Sequence, residues 1–399
     1  MAIFHGTKHD DDLNGTSDND TFDLYKGGND TASGGAGNDT FNMDGSLNAG
    51  DRLDGGADKD TVVLHGDYSA GLVFDGQTIQ NIEVLRLRAG FDYNLTTADG
   101  NVAAGGKLTI NAAQLGGANH FTFDGSAETD GRFVIYGGAG DDTITGGAKA
   151  DIFHLENGGG DIVDGGGGND ILYLGANFAA GDQIDGGSGD DTVVLDGDYG
   201  SRTGLSFLNN SVETVKLTAG HSYNLFARAP FFAPVVDASD LGPGDILTFD
   251  AHLDRNDILI KSGAGADQIS GSTQNASITY SYLGIALSGD TRDSIEFFNV
   301  GQHDTIQFHT VNAVDSEVDG GTIDLNGDFD TQLANDIGPS QLHAGDAVVF
   351  VPDVIGGIGG TLFLIVDGNG IAGYQAGADL VIQLHGSDTQ DLTPANFTG

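Results

Sequence analysis

The chain has 399 residues, with 15 basic against 59 acidic side chains and a formal net charge of −44. That charge excludes nucleic acid and anionic membrane surfaces as partners, because both require a basic face, and it suits a chain that meets cations. The 66 glycines, about twice the usual share, exclude a mostly helical fold, and the lack of cysteine excludes disulfides, thiol catalysis and cysteine-bound zinc or iron–sulfur sites.

In chain order, Met1 to His5 leave no room for a charged region, apolar core and cleavage site before the first Gly/Asp-rich stretch. Export is therefore expected to proceed without a cleaved N-terminal signal peptide. The next residues divide into segments of nine, with aspartate in slot six and an apolar residue in slot eight. They are Gly6 to Asn14 (Asp11, Leu13), Gly15 to Asp23 (Asp20, Phe22), Tyr25 to Ser33 (Asp30, Ala32) and Gly34 to Asn42 (Asp39, Phe41). Two more centre on Asp51/Leu53 and Asp60/Val62. Short apolar strands follow: Val62-Val63-Leu64, Leu72-Val73-Phe74, Val84-Leu85, Leu108-Thr109-Ile110, Phe121-Thr122-Phe123 and Phe133-Val134-Ile135. Their spacing of ~9 to 15 residues is that of solenoid half-coils. A second block repeats the first in step, through Asp142, Asp151, Asp161, Asp170, Asp182 and Asp191. Beyond it, Ser211-Val212-Glu213 and Tyr223-Asn224-Leu225 echo Asn81-Ile82-Glu83 and Tyr93-Asn94-Leu95. A third start, at Gly263 to Ile269 with Asp267, decays through about residue 310.

High net charge and Gly/Asp richness also describe a disordered tail, but strict spacing argues for a repeat array. The expected segments are 1–136 and 137–261, each a nonapeptide block plus β-coils, a degenerate third unit at 262–345, and a C-terminal cap at 346–399. The longest apolar runs, such as Leu362 to Val366, fall far short of the ~18 residues needed to span a bilayer.

Glycine permits left-handed angles that bring loop carbonyls inward, and slot-six aspartate supplies a hard carboxylate oxygen. Two nonapeptides close one coil of ~18 residues, so loops on one flank stack about 4.8 Å apart. Oxygen donors without sulfur or paired histidines select calcium over zinc. The predicted aspartate ladders are Asp11/Asp30/Asp51, Asp20/Asp39/Asp60, Asp142/Asp161/Asp182 and Asp151/Asp170/Asp191, with Asp267 in the third unit. Gly28, Gly35, Gly37, Gly138, Gly140, Gly166, Gly168, Gly187 and Gly189 are the accompanying loop positions. An ion between each adjacent pair gives roughly eight calcium sites, with Asp170 serving the ions on both sides of it. Ordering nine residues costs more than one buried side chain and a few ladder hydrogen bonds return, so the calcium-free repeats are expected to be unfolded.

The pattern Gly-Gly-x-Gly-x-Asp-x-apolar-x resembles the RTX calcium-binding repeat. That resemblance implies a right-handed parallel β-roll, an all-β solenoid of nonapeptides with intervening β-coils and a C-terminal β cap. It also implies export by a type I ABC machine to the extracellular space. The tail, Leu362 to Gly370, then Asp379 to Leu384, then Leu392 to Phe397, resembles the C-terminal cap and uncleaved secretion signal of secreted RTX proteins such as serralysin-type proteases. It departs from them in closing on Asn396-Phe397-Thr398-Gly399.

No His-Glu-x-x-His, Gly-x-Ser-x-Gly or phosphate-loop motif occurs, so the protease half of that family is missing and no enzyme is expected. His303 and His309 read as strand-flanking surface residues. Asp367-Gly368-Asn369-Gly370 lacks the bidentate glutamate of an EF-hand and reads as a tight turn. Arg86, Arg88 and Tyr93 could serve a polysaccharide lyase, but Lys216 and Thr218 replace the arginines in the second copy. A solvated or ion-paired face is the expectation there. The chain lacks the amphipathic apolar region of a pore-forming toxin. The leading reading is a non-enzymatic extracellular calcium-binding protein, a matrix, surface-layer, adhesive or accessory factor, with polysaccharide or a cell surface as a partner. The alternative is a secreted carbohydrate-active enzyme on the same solenoid.

Overall fold

The computed structural model describes all residues except 177, 179–180, 206–207, 209–210, 229–234, 254–255, 273–277, 283–292, 297–303, 309–317, 320–328, 353–360, 377, 386–396 and 399. These form two compact units, Met1–Leu195 with Phe207–Val212, and Asp196–Ser206 with Glu213–Gly399. His303 and His309, and most of the segment from Leu392 to Phe397, lie outside the described residues.

The first unit is a parallel β-solenoid. One wall runs through Ile3–His5, Thr21–Asp23, Thr40–Asp44, Thr61–Leu64, Val84–Leu87, Lys107–Asn111, Arg132–Tyr136, Ile152–His154, Ile171–Gly175 and Thr192–Asp196. The facing wall has two parallel sheets. Asp12–Asn14, Thr31–Ala36, Arg52–Ala57 and Ile79–Gln80 make the first; Tyr68–Val73, Tyr93–Thr96, Phe121–Asp124, Thr143–Thr145, Ile162–Asp164 and Gln183–Asp185 make the second.

The strands form here because the apolar residue two positions after each aspartate is buried only between the walls, while its neighbours point outward. In register, Phe22 pairs with Phe41, then Val62, Leu85, Ile110, Ile135, Phe153 and Leu172, and every one of these side chains is fully buried. The Phe4, Phe22 and Phe41 rings stack at 4.8 and 4.7 Å, the spacing of neighbouring strands. Register steps are 19 and 21 residues from Phe22 through Phe41 to Val62. They lengthen to 23 and 25 from Val62 through Leu85 to Ile110. The nonapeptide coils are thus the tight ones, and the intervening coils carry longer loops.

The second unit continues the same pattern. Thr214–Leu217, Val235–Asp237, Ile258–Lys261, Ile278–Tyr282, Thr305–Phe308 and Phe397–Thr398 form one wall. Tyr199–Gly204, Tyr223–Arg228, Leu247–Leu253, Gln268–Ser270 and Asp293–Glu296 form the other. Leu380–His385 then pairs in parallel with Asp293–Glu296, but antiparallel with Thr361–Val366, which pairs antiparallel with Ala347–Val351. The helix Phe329–Asp336 buries Phe329 and Leu333 against Phe350, Phe363, Ile365 and Val381. This hairpin-and-helix layer covers a parallel edge that would otherwise offer unpaired backbone groups. Internal repetition persists in the packing: Tyr68 stacks on Tyr93 at 5.9 Å in the first unit, and Tyr199 on Tyr223 at 5.7 Å in the second.

Candidate metal sites

The aspartates of both blocks sit at the ends of loops that stack coil upon coil. Eleven of the twelve, all but the half-buried Asp11, are buried, as is Asp267. Each except Asp11, whose Oδ1 accepts from the Thr7 hydroxyl of its own loop, sends its Oδ1 back to a backbone N–H of the coil before. Asp39 Oδ1 accepts from Asp20 N at 2.7 Å, and Asp60 Oδ1 from Asp39 N at 2.7 Å. The other ladders repeat the link. Asp11 N donates to Asp30 and Asp30 N to Asp51; Asp142 N donates to Asp161 and Asp161 N to Asp182; Asp151 N donates to Asp170 and Asp170 N to Asp191. The four ladders are therefore continuous hydrogen-bonded columns, in the register the repeat spacing gives.

The second carboxylate oxygen separates two kinds of loop. At the first loop of each column, Oδ2 accepts an N–H from its own loop, four residues back. The pairs are Thr7 to Asp11 at 2.5 Å, Thr16 to Asp20 at 2.7 Å, Gly138 to Asp142 at 2.7 Å, Gly147 to Asp151 at 2.7 Å and Gly263 to Asp267 at 3.3 Å. In the loops stacked above, Oδ2 of Asp39, Asp60 and Asp170 is buried and no donor reaches it, whereas Asp51 Oδ2 accepts from the backbone and side-chain N–H groups of Asn48 at 2.8 and 3.1 Å. The backbone explains the difference. The residues four back from these three are Gly35, Gly56 and Gly166, at φ +101°, +95° and +89°, and a left-handed residue turns its N–H away from the carboxylate. Gly28, Gly37, Gly168, Gly187 and Gly189 also lie in the left-handed region, whereas Gly138 and Gly140 do not.

A Cβ on Gly34 would run into both Asp39 Oδ2 and the Gly55 carbonyl, and one on Gly165 into Asp170 Oδ2 and the Gly186 carbonyl. A carboxylate oxygen and the next loop's carbonyl thus converge over a glycine. Hard oxygens only, donorless and gathered from successive loops, fit calcium rather than a transition metal. Asp170 Oδ1 is already taken by Asp151 N–H, which leaves Oδ2 as its oxygen open to an ion.

Burial, and then repulsion from neighbouring carboxylates, raises the pKa of most of these groups, whereas the Ala2 N–H holds Asp20 below its ordinary value. Burial pushes Asp170 up to about 8, with Asp151 and Asp191 adding to the rise, and pushes Asp161 up to about 7, with Asp142 and Asp182 adding. Asp60, Asp142, Asp151 and Asp267 are pushed up to about 6, again mainly by burial. Asp30, Asp39 and Asp51 rise for the same first cause.

Three further acids, half-buried Glu83 and buried Asp293 and Asp304, join the columns without a nonapeptide. Glu83 Oε2 accepts from Asp60 N at 2.7 Å; Asp293 Oδ1 accepts from Asp267 N at 2.7 Å and Asp304 Oδ1 from Ile278 N at 2.8 Å. Each precedes an acid-x-apolar triplet (Glu83-Val84-Leu85, Asp293-Ser294-Ile295, Asp304-Thr305-Ile306), a signal that survives when the glycines are lost. Asp367 is a turn-former. Its Oδ1 accepts from Asn369 N and Gly370 N, at 2.9 and 2.8 Å. Arg86 and Arg88 are exposed, and Lys216 pairs with Asp240 at 2.9 Å.

Against known families, the RTX calcium-binding nonapeptide repeat matches in four copies, over residues 5–41, 134–160 and 157–177. No curated protein and no solved structure matches the chain. The matched stretches hold the loops of Asp11, Asp20, Asp30, Asp39, Asp142, Asp151, Asp161 and Asp170. Among the described residues, no helix is long and apolar enough to cross a membrane.

Proposed function

From a chain that carries RTX calcium-binding nonapeptide repeats on a parallel β-solenoid, we propose a secreted extracellular protein that folds on binding calcium. Its role is non-enzymatic, as a matrix, surface-layer, adhesive or accessory component. The observation that carries this reading is the donorless buried Oδ2 of Asp39, Asp60 and Asp170. An unpaired buried carboxylate oxygen costs several kcal/mol, and a hard cation offsets that cost. Where ligands are brought together only by folding, ion binding becomes folding free energy.

Sites of this open, extracellular type fill at about 10⁻⁴–10⁻³ M calcium, far above cytoplasmic levels. The chain then stays unfolded inside the cell, passes a type I ABC exporter led by a signal within residues 346–399, and folds outside. The stacked loops hold roughly eight ions, offsetting about sixteen of the forty-four excess negative charges. A polysaccharide or cell surface is the outer partner. The test is circular dichroism of the full chain at pH 8. A coil-like spectrum in EDTA should convert to β with millimolar calcium but not with equal magnesium. A β-rich spectrum in EDTA, or an equal response to magnesium, overturns the reading.

A further inference from the structure

We propose a calcium site outside the nonapeptide ladders, in the intervening coils of the first unit, built from Asp99, Glu128 and Asp130. The loop 97–106 follows strand Tyr93–Thr96, and the loop 125–131 follows Phe121–Asp124 one coil later. Thr129 clamps the two together, since its N–H and its hydroxyl both donate to Asp99 Oδ1, at 2.9 and 2.6 Å. This brings carboxylate oxygens of Asp99, Glu128 and Asp130 within 4.8 Å of one another. Two oxygens each 2.3–2.6 Å from one calcium ion lie no more than about 5 Å apart, so one ion can touch all three.

An acidic cluster on a surface is commonplace, and the central residue here is different. Glu128 is fully buried. Its Oε1 accepts from Gly131 N at 2.8 Å and Asp130 N at 3.1 Å, which locks the side chain in place. Its Oε2 is buried and meets no donor. No basic side chain lies within ion-pair distance of it among the described residues. A carboxylate held rigid, with one oxygen dry and unpaired, grouped with two more carboxylates is costly without a cation. The donors are all hard oxygens, drawn from two loops in an irregular arrangement, which suits the flexible coordination of calcium better than the strict octahedron of magnesium. Asp99 and Asp130 are exposed and give the ion a path from solvent. This site shares no ligand with the aspartate columns, but Glu128 stacks against the Asp151 loop, its carbonyl accepting from Ala148 N at 2.9 Å, so a variant at exposed Asp130 is the one that tests the site apart from the columns.

The experiment counts calcium per chain on the full-length protein after equilibrium dialysis. Glu128→Gln keeps the Oε1 acceptor for Asp130 and Gly131 and removes the donorless anionic oxygen. It should lose one calcium per chain while the calcium-saturated spectrum stays β. Asp130→Asn changes an exposed carboxylate on which no hydrogen bond depends, and should weaken one site by about tenfold or more. If Glu128→Gln fails to fold, Asp130→Asn decides. An unchanged count with unchanged affinity in the folded variants overturns the proposal. A wild-type chain that binds calcium only in proportion to its nonapeptide loops, and loses none of it in Asp130→Asn, overturns it as well and leaves the repeat reading standing.

Discussion

Acid and calcium should act on the columns in opposite senses. Five column aspartates of the first unit carry folded-state pKa values above their ordinary 3.8, at about 8 for Asp170, about 7 for Asp161 and about 6 for Asp60, Asp142 and Asp151. A carboxyl raised on folding favours the folded state when protonated. Its contribution is complete below the unfolded value and is lost as pH rises through the folded one. Each tenfold change in a proton equilibrium is worth about 1.4 kcal/mol. Moving from pH 8 to pH 5 thus returns on the order of 4 kcal/mol at Asp170, about 3 at Asp161 and about 1 at each of the other three. The increments are not additive, because Asp170 and its neighbours Asp151 and Asp191 share one repulsion, so the net gain is smaller than their sum. In EDTA the β signal should therefore grow as pH falls from 8 to 5, while the calcium midpoint for folding rises because protons compete for the ligands. Histidine protonation also lowers the net charge in this range. The double variant Asp161→Asn, Asp170→Asn separates the two effects, since it should flatten the upper half of the pH dependence and leave histidine titration intact. A β signal in EDTA that falls on acidification, or a double variant with the wild-type pH dependence, refutes the reasoning.

The columns also rank substitutions. Asp170→Ala removes a ladder hydrogen bond and the donorless oxygen together, whereas half-buried Asp11 already spends its Oδ2 on Thr7; calcium titration followed by circular dichroism should show several-fold greater loss of apparent affinity for Asp170→Ala than for Asp11→Ala. Gly35→Ala places a Cβ against the Thr16 carbonyl at φ +101°, while Gly105→Ala at φ +69° meets open space. In calcium, urea unfolding should cost the first roughly 3 kcal/mol and the second about 1. Removing residues 346–399 strips Leu380–His385 from the edge of Asp293–Glu296. The truncated chain should stay in the producing cell, and normal export of it would place the signal elsewhere.

Much of this architecture was legible in the residues, for a physical reason. A three-residue strand has one inward side chain, so an aspartate followed two residues later by Phe22, Phe41 or Val62 fixes strand, core and loop at once. The ladder register followed from counting two loops per coil, and the apolar runs at Leu362 to Val366 and Leu380 to Leu384 fall on paired strands. What spacing does not carry is backbone angle. Gly147 and Gly166 occupy the same slot of the same motif, yet only Gly166 is left-handed. That difference decides whether Asp151 satisfies itself or Asp170 waits for an ion. Composition hid Glu83, Asp293 and Asp304 for another reason. They keep the acid and the apolar residue but not the glycines, and the chain reaches them by longer coils, 26 residues from Asp267 to Asp293. Glu128 carries no repeat signal, and only its burial and pairing mark it.

The direction of the hydrogen bonds adds a constraint on how the array assembles. Within each column the Oδ1 of a later loop reaches backward, so Asp20 N–H is satisfied only once the Asp39 loop docks, and Asp39 N–H only once the Asp60 loop does. The donorless oxygens follow the same order, appearing in the stacked loops and not in the first loop of any column. A first loop thus satisfies its own Oδ2, while the later loops of Asp39, Asp60 and Asp170 bring a charge that a cation would offset; Asp51 is the exception, its Oδ2 accepting from Asn48. Coils that contact only their nearest neighbours propagate order one step at a time. Here each step adds an acceptor for the coil before and an incomplete ion site for the coil after. On the proposed function, binding and folding are then one process along the column, and losing any single mid-column aspartate should interrupt it.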